Sequence, residues 1–170
     1  MLRKIPRTVL VGALLGLLMT GGLSSAQAAD HDPVGPRLTE RLQGLIRQEM
    51  NLVETATLEL WKGMVVGDLH KVAEQARAIH NSFILKQQLT PQDKQDLKRA
   101  VPAEFIAQDQ AFHQLAAKTA EAAHGGDRAL VQYYFGRMTS ACITCHGQYA
   151  TDRFPLLAPK KSAPAMHHDH

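Results

Sequence analysis

The chain has 170 residues, a formal charge of +3 and two cysteines, and its aromatic content is only 5%. Arg3, Lys4 and Arg7 account for that charge, so the rest of the chain is close to neutral and indicates neither a nucleic acid nor an anionic membrane as a partner. The length suits one domain, and the abundance of Ala, Leu, Gln and Glu favours an all-helical fold.

Residues 1–28 have the three parts of a secretory signal peptide. Basic residues precede an apolar run over residues 9–19, and Ala26-Gln27-Ala28 supplies the small side chains of a cleavage site. This run is shorter than the roughly 20 apolar residues that a membrane-spanning helix needs. We therefore predict cleavage after Ala28 or Ala29, export to the periplasm and no stable membrane insertion, with an uncleaved anchor helix as the alternative.

Beyond a short polar lead-in over residues 29–36, apolar residues recur in steps of three and four, which is the period of amphipathic helices. The first helix begins near Leu38 and ends at Gly67, and the second follows at once because Asp68 can cap it. The acidic residues of the first helix are interpreted as solvated charges; they are Glu40, Glu49, Glu54 and Glu59. The apolar positions of the two helices are Leu38, Leu42, Leu45, Ile46, Met50, Val53, Ala56, Leu60 and Met64, then Leu69, Val72, Ala76, Ile79, His80 and Phe83.

A short polar helix and two more long helices follow. Thr90-Pro91-Gln92-Asp93 predicts the start of the short helix, Pro102 opens the third long helix, and Gly125-Gly126-Asp127 separates it from the fourth, which ends near Tyr149. Period-two alternation is absent, so we expect no sheet. Four long helices with short first and last connections predict an up-down-up-down four-helix bundle over residues 37–154. Residues 155–170 are expected to form a disordered tail.

The fourth helix carries both cysteines, in Cys142-Ile143-Thr144-Cys145-His146. This Cys-x-x-Cys-His pattern is typical of covalent c-type haem attachment, in which two thiols bind the porphyrin and the histidine ligates the iron. Helical spacing of three and four residues places the three side chains on one face. A redox dithiol and half of a zinc site are the alternatives, but the first lacks a βαβ context and the second lacks another cysteine pair.

The iron has a sixth position, and its occupant decides what the protein does. Candidates on the apolar faces are Met50, His80 and His113. With both short connections at one end of the bundle, the helical rise places His146 roughly 28 Å and Met50 roughly 24 Å from that end, against roughly 17–18 Å for the two histidines. Met50 is therefore the first candidate for the distal ligand. A core methionine and an open iron position are the alternatives.

A Cys-x-x-Cys-His motif near the end of the last helix, followed by Tyr149, resembles the class II cytochromes c, the group of cytochrome c′ and its low-spin, methionine-ligated relatives. The resemblance covers residues 38–154 and implies one haem c near the end of the fourth helix, with Met50 in the place of the residue on the distal side. It also implies that Arg47 faces the haem propionates, although Arg47 precedes Met50 by three residues where the family spacing is four. Tyr149 is a further candidate haem contact. Members of this group often form homodimers through their early helices.

Together these features predict a periplasmic electron carrier whose low-spin haem is ligated by His146 and Met50 and which docks transiently on redox proteins. The alternative is a five-coordinate haem protein that binds nitric oxide or carbon monoxide at an open position. The run Met166-His167-His168-Asp169-His170 is a third candidate site, for Cu²⁺, Ni²⁺ or Zn²⁺, with a solvated tail as its alternative. Neither a Ser/His/Asp arrangement nor a phosphate-binding glycine loop is visible in the sequence, so a substrate-converting enzyme is not predicted.

Overall fold

The computed structural model describes residues 32–82 and 88–159, and this part of the chain is all-helical, as predicted. It contains five α-helices and two short 3₁₀-helices, and no strand. The predicted signal peptide, Phe83 and the C-terminal histidine run lie outside the described residues. The helices are α1 (Glu40–Val66), α2 (Leu69–Asn81), α3 (Pro91–Ala100), α4 (Ala103–His124) and α5 (Arg128–Tyr149), with 3₁₀-helices at Gly35–Arg37 and Pro155–Leu157.

The long helices begin and end at residues that cap or stop a helix. Gly67 ends α1 with a left-handed backbone, φ 78°, a conformation that is strained for residues with a Cβ atom. Asp68 caps α2 by accepting a hydrogen bond from the Lys71 amide, and Asp127 caps α5 by accepting one from the Leu130 amide. These boundaries were predicted from the sequence and are confirmed.

The short helix α3 is attached to the beginning of α1. Thr90 and Asp93 form a capping box at its N-terminus, and Arg41 Nε of α1 donates to Asp93 Oδ2 at 3.0 Å. Hydrogen bonds from Thr90, together with Arg41, hold the pKa of the Asp93 carboxyl below its ordinary value. Helix α3 therefore covers the end of the bundle at which α1 begins.

Two clusters of buried apolar side chains fill the interior. The first, which we call the aliphatic core, lies between α1, α2, α4 and α5; its members are Val53, Ala56, Leu60, Val72, Ala73, Ala76, Ile79, Ala116, Ala120, Ala122, Ala123, Val131 and Met138. The second, which we call the terminal cluster, joins the lead-in and α3 to the beginnings of α1 and α4 and the end of α5. Its members are Val34, Leu38, Leu42, Leu97, Ala100, Val101, Phe105 and Tyr149.

The long helices are not equally close to one another. The pairs α1–α2, α2–α4 and α4–α5 pack closely, whereas α1 and α5 approach each other less closely. The predicted haem motif lies on α5 and its candidate distal ligand Met50 lies on α1. The two helices that the sequence analysis assigns to the haem are therefore not one of the closely packed pairs.

Both ends of the described chain fold back on α5. Val34, in the lead-in that we expected to be polar, is buried, and its amide donates to the Tyr149 carbonyl at 2.9 Å. The 3₁₀-helix Pro155–Leu157 packs against α5, so the segment expected to be disordered from residue 155 begins with an ordered turn. In the part of the chain that the structure describes, no helix is both long and apolar enough to cross a membrane.

Candidate haem-attachment site

Cys142, Cys145 and His146 lie in the last two turns of α5, as the motif predicts. Both cysteines are free thiols, and all three side chains are half-buried. Cys145 packs against the terminal cluster, as do Ile46 of α1 and Ile106 of α4. The motif therefore sits where the end of α5 meets the first turns of α1 and α4.

Burial keeps these three groups in their neutral forms near pH 7. It raises the pKa of both thiols, that of Cys145 to about 12, and the negative charge of Asp109 adds to the rise at Cys145. It lowers the pKa of His146, and the positive charge of Arg153 lowers it further. Within the described residues, neither ring nitrogen of His146 has a hydrogen-bond partner. A neutral imidazole with an uncommitted lone pair is the form that ligates a metal ion.

These groups suit a covalently bound haem. Two free thiols one helical turn apart, with an imidazole beside the second, are the donor set that c-type attachment needs. The surface around them is apolar and partly exposed, at Ile143, Phe154 and Leu157. The zinc alternative lacks support here, because the cluster of potential metal ligands found among the described residues contains neither cysteine.

The imidazole of His146 is covered by an aromatic ring. Phe154, five residues beyond the last residue of α5, stacks on His146 with ring centroids 4.3 Å apart and an interplanar angle of 9°. The sequence analysis assigned no role to Phe154. The ring plane of the predicted iron ligand is therefore held by a residue that the motif does not contain.

A buried ionisable group, which we call the Glu49 cluster, joins α1 to α4 near the motif and consists of Glu49, Asp109 and His113. His113 Nε2 lies 2.7 Å from Glu49 Oε1 and 3.8 Å from Asp109 Oδ1. Its Nδ1 donates to the Ile79 carbonyl at 2.9 Å, which fixes a proton on that nitrogen. The distance of 2.7 Å is that of a direct charge-assisted hydrogen bond, so we interpret the cluster as a hydrogen-bonded ion pair and not as a metal site.

Asp109 brings a proton-binding group close to the predicted haem-attachment motif. Burial raises the pKa of its carboxyl to about 7, and the charge of Glu49 adds to that rise while the charge of His113 opposes it. Its Oδ2 atom is buried and has no hydrogen-bond partner in the described part of the chain. Because the charge of Asp109 also affects Cys145, the Glu49 cluster and the motif are electrostatic neighbours.

The structure corrects the roles expected of two adjacent residues of α1. Glu49, interpreted as a solvated charge, is 1% exposed, and Met50, expected on the buried face, is 37% exposed. The buried positions of α1 include Leu45, Glu49 and Val53, so Met50 falls at the edge of this face. Met50 directly follows Glu49 in the chain, and it remains the candidate for the distal ligand that the sequence suggests.

The two histidine candidates differ in how far their ring nitrogens are occupied. Both nitrogens of His113 are engaged, with Glu49 and with the Ile79 carbonyl. His80 is half-buried, and its Nδ1 lies 3.0 Å from the His113 carbonyl oxygen. The bonds of His113 leave it no uncommitted ring nitrogen. The contact of His80 with a backbone carbonyl is one that a metal-ligating histidine also makes, and it leaves Nε2 without a hydrogen bond in the described part of the chain. His113 is thus the least available of the three distal candidates.

The two candidate haem contacts lie in different environments. Arg47 is exposed on α1. Tyr149 is almost fully buried in the terminal cluster, where its ring meets that of Phe105 edge to face, with centroids 5.3 Å apart and an interplanar angle of 77°. Tyr149 is therefore a packing residue of the cluster against which Cys145 lies.

Three residues of this region were missed or misread in the sequence: Glu49, Asp109 and Phe154. A signal for the first two exists. Glu49 follows Leu45 by four residues on the apolar stripe of α1, and Asp109 precedes His113 by four residues, which puts both on one face of α4. Phe154 gives no comparable signal, because it meets His146 only after the chain has turned. Comparison of the chain with protein-family models, curated proteins and solved structures gives no significant match.

Proposed function

We propose that this protein is an exported c-type cytochrome that carries one covalently bound haem in an up-down-up-down bundle and transfers electrons in the periplasm, like the class II cytochromes c that it resembles. One observation carries the proposal. Two free, half-buried thiols and a neutral imidazole that has no hydrogen-bond partner among the described residues share the last two turns of α5. The signal-peptide features of residues 1–28 agree with it, because haem c is attached outside the cytoplasm.

Each residue of the motif has a distinct chemical role in this proposal. Cys142 and Cys145 would each add across a vinyl group, so that a carbon–sulfur bond forms and the thiol hydrogen passes to the neighbouring carbon without net oxidation. His146 would ligate the iron through a ring nitrogen, which burial keeps unprotonated at pH 7. A bound haem supplies the one-electron couple of its iron, and the chain supplies attachment, ligand orientation and an apolar surrounding.

Met50 is our candidate for the distal ligand. It directly follows Glu49 on α1, and its partly exposed side chain is not part of the aliphatic core. Ligation by Met50 would give six-coordinate, low-spin iron and a raised reduction potential, as suits an electron carrier. Arg47, three residues before Met50, is the candidate contact for the propionates.

The second candidate function is reversible binding of nitric oxide or carbon monoxide by five-coordinate iron. The observation that favours it is the position of Met50 at the edge of the buried face, where its side chain is 37% exposed. If Met50 stays turned to solvent in the haem-loaded protein, the distal position is open to a small ligand.

The test is a spectrum of the full chain expressed in a host that matures c-type cytochromes. We expect a covalent haem that resists acid–acetone extraction, sharp low-spin ferrous bands and little binding of carbon monoxide. Met50→Ala should convert the spectrum to high-spin and open the iron to carbon monoxide. Met64→Ala is the matched control, because Met64 lies on the same helix roughly 21 Å away. Rapid carbon monoxide binding by the unaltered protein would favour the second function, and colourless protein with alkylatable thiols would contradict both.

The partners in this proposal are periplasmic redox proteins and, as the resemblance implies, a second copy of the chain. The mature chain is close to neutral, which favours transient docking through small surfaces over strong electrostatic steering. Exposed apolar side chains on α1, Leu58, Trp61 and Val65, offer a surface for either partner. Sedimentation velocity over a range of concentrations distinguishes a homodimer from a monomer.

A further inference from the structure

The chain makes a tight turn directly after α5. The amides of Arg153 and Phe154 both donate to the Ala150 carbonyl, at 3.0 and 2.9 Å, and the Leu157 amide donates to the Phe154 carbonyl at 3.0 Å. These bonds reverse the chain, so that the 3₁₀-helix Pro155–Leu157 lies against α5. Residues 150–157 thus form a hydrogen-bonded segment with a defined path, which we call the post-helix turn.

A glycine of α5 permits the close approach of this turn. A Cβ atom built at Gly147 would lie 3.3 Å from the Leu157 carbonyl oxygen and 3.6 Å from Leu157 Cβ. The first of these distances is tighter than most van der Waals contacts in proteins, so a side chain at Gly147 would push the turn outward. Gly147 directly follows His146, so the turn that packs on Gly147 also lies close to the imidazole.

The turn delivers one aromatic ring to the imidazole. Phe154 stacks face to face on His146, with centroids 4.3 Å apart and an interplanar angle of 9°. A ring stacked on one face leaves the nitrogens at the imidazole edge accessible, while rotation of the imidazole about its Cβ–Cγ bond would break the stacking. In most metal-binding histidines a hydrogen bond to the second ring nitrogen fixes the ring plane. Within the described residues His146 has no such bond, so stacking on Phe154 is its main orientational restraint.

We propose that Phe154 is a positioning residue for the proximal iron ligand and sets the plane of the His146 ring relative to the haem. This inference rests on the proposed function, because it concerns a histidine that ligates haem iron. The orientation of an axial imidazole changes its overlap with the iron orbitals, and cover on one face limits access of water to the ligand. Both effects alter the electronic state of the iron, which is one of the properties that a protein tunes through its ligands and their surroundings.

The experiment compares four forms of the haem-loaded full chain: the unaltered protein, Phe154→Ala, Phe154→Tyr and Leu156→Ala. Leu156 is the matched control, since it is an apolar residue of the same turn and is 98% exposed. Haem content, electron paramagnetic resonance of the ferric state, haem-methyl chemical shifts and reduction potential are measured for each. We expect Phe154→Ala to retain its haem but to change its g values, its pattern of methyl shifts and its potential. Phe154→Tyr and Leu156→Ala should match the unaltered protein.

The outcomes separate this inference from the proposed function. Unaltered protein without covalent haem would overturn the proposed function. The positioning role alone would be overturned if the unaltered protein carries haem and Phe154→Ala has the same g values, methyl shifts and reduction potential. If Phe154→Ala fails to fold, Phe154→Leu, which keeps apolar cover without a planar ring, takes its place. A spectrum of Phe154→Leu identical to that of Phe154→Tyr would then contradict the proposal, and a difference between them would support it.

Discussion

The aliphatic core and the end of the bundle that carries the motif are built from different kinds of side chain. In the aliphatic core, Leu60, Val72 and Ala116 have no exposed surface, and neighbouring Thr119 satisfies its hydroxyl by donating to the Leu115 carbonyl at 2.8 Å. At the other end, thiols, a buried ion pair and partly exposed apolar residues lie next to one another. Small apolar side chains pack without unmet polar groups, whereas buried ionisable groups reduce stability unless they are paired, and such groups are concentrated at functional sites. We therefore expect the aliphatic core to support the fold and the other end to carry the function.

The largest expected effect tests whether the motif end is a haem site at all. Replacing Cys142 and Cys145 together by Ser should abolish covalent haem, because no sulfur remains to form a thioether. Haem staining of a denaturing gel and intact mass measure the loss directly. The helical content by far-UV circular dichroism should change much less, since the aliphatic core contains neither cysteine. Covalent haem retained in the double variant would show that attachment does not use this motif.

The next prediction concerns the buried ion pair of His113 and Glu49. His113→Leu should lower the free energy of unfolding by about 3–5 kcal/mol, because it leaves the buried carboxyl groups of Glu49 and Asp109 without a cation. Chemical denaturation followed by circular dichroism measures the change. The matched double variant Glu49→Met with His113→Leu replaces the pair by apolar side chains and should recover most of the loss. If His113→Leu is as stable as the unaltered protein, the charges of the pair do not contribute to stability and His113 contributes through packing alone.

Two leucines allow the regions to be compared with the same substitution. Leu60, in the aliphatic core, and Leu42, in the terminal cluster, are both fully buried. Each change to Ala should cost about 2–5 kcal/mol through lost burial and a residual cavity. Only Leu42→Ala should also alter the haem spectrum, since the terminal cluster packs against Cys145. Equal spectral changes from both variants would contradict the separation of the two regions.

Local signals account for what the sequence predicted well. Gly67, Asp68 and Asp127 act within one helical turn, so their caps and stops could be read directly and placed the helix boundaries correctly. The Cys142 to His146 spacing fixed the relation of three side chains on α5 for the same reason. These features need no knowledge of which helices are neighbours.

Long-range contacts account for what the sequence did not predict. Glu49 and Met50 are adjacent, and the choice of which one faces the interior depends on His113, 64 positions further along the chain. An acidic residue reads as solvated until its buried partner is known. Phe154 likewise meets His146 only because the post-helix turn folds back, and that turn depends on the space left at Gly147.

A smaller effect concerns pH and the Glu49 cluster. Burial raises the pKa of the Asp109 carboxyl from its ordinary 3.8 to about 7, so between about pH 4 and 7 the folded protein holds a proton that the unfolded chain has released. The pKa of His113 is also raised above its ordinary 6.5, because its hydrogen bond to Glu49 and the charges of Asp109 and Glu49 outweigh the opposing effect of burial. Both shifts mean that the free energy of unfolding falls as pH rises, by at most about 1.4 kcal/mol per pH unit for each proton.

Asp109→Asn isolates this contribution. In this variant the free energy of unfolding should no longer fall through the Asp109 contribution between about pH 4 and 7. The fall that His113 contributes at higher pH should remain. Urea denaturation at several pH values measures both slopes. Asp152→Asn is the control, because Asp152 is an exposed carboxylate of the post-helix turn. A difference in the free energy of unfolding between the unaltered protein and Asp109→Asn that stays constant over this range would contradict the assignment of the proton to the folded cluster.

The smallest expected effect tests whether the two regions are mechanically independent along α5. Gly136 lies in this helix between Val131 and Met138, which both belong to the aliphatic core, and six residues before Cys142; a Cβ added there would meet no atom within 4 Å. Gly136→Ala should therefore raise the free energy of unfolding by about 0.5–1 kcal/mol, since alanine loses less conformational freedom than glycine when a helix forms. If the regions are independent, the haem spectrum and the reduction potential stay unchanged while the denaturation midpoint increases. Because the added methyl group would contact no atom, a shift of the reduction potential in Gly136→Ala would mean that the stiffness of α5 affects the motif. The aliphatic core and the motif end would then be separate in their packing but coupled in their dynamics.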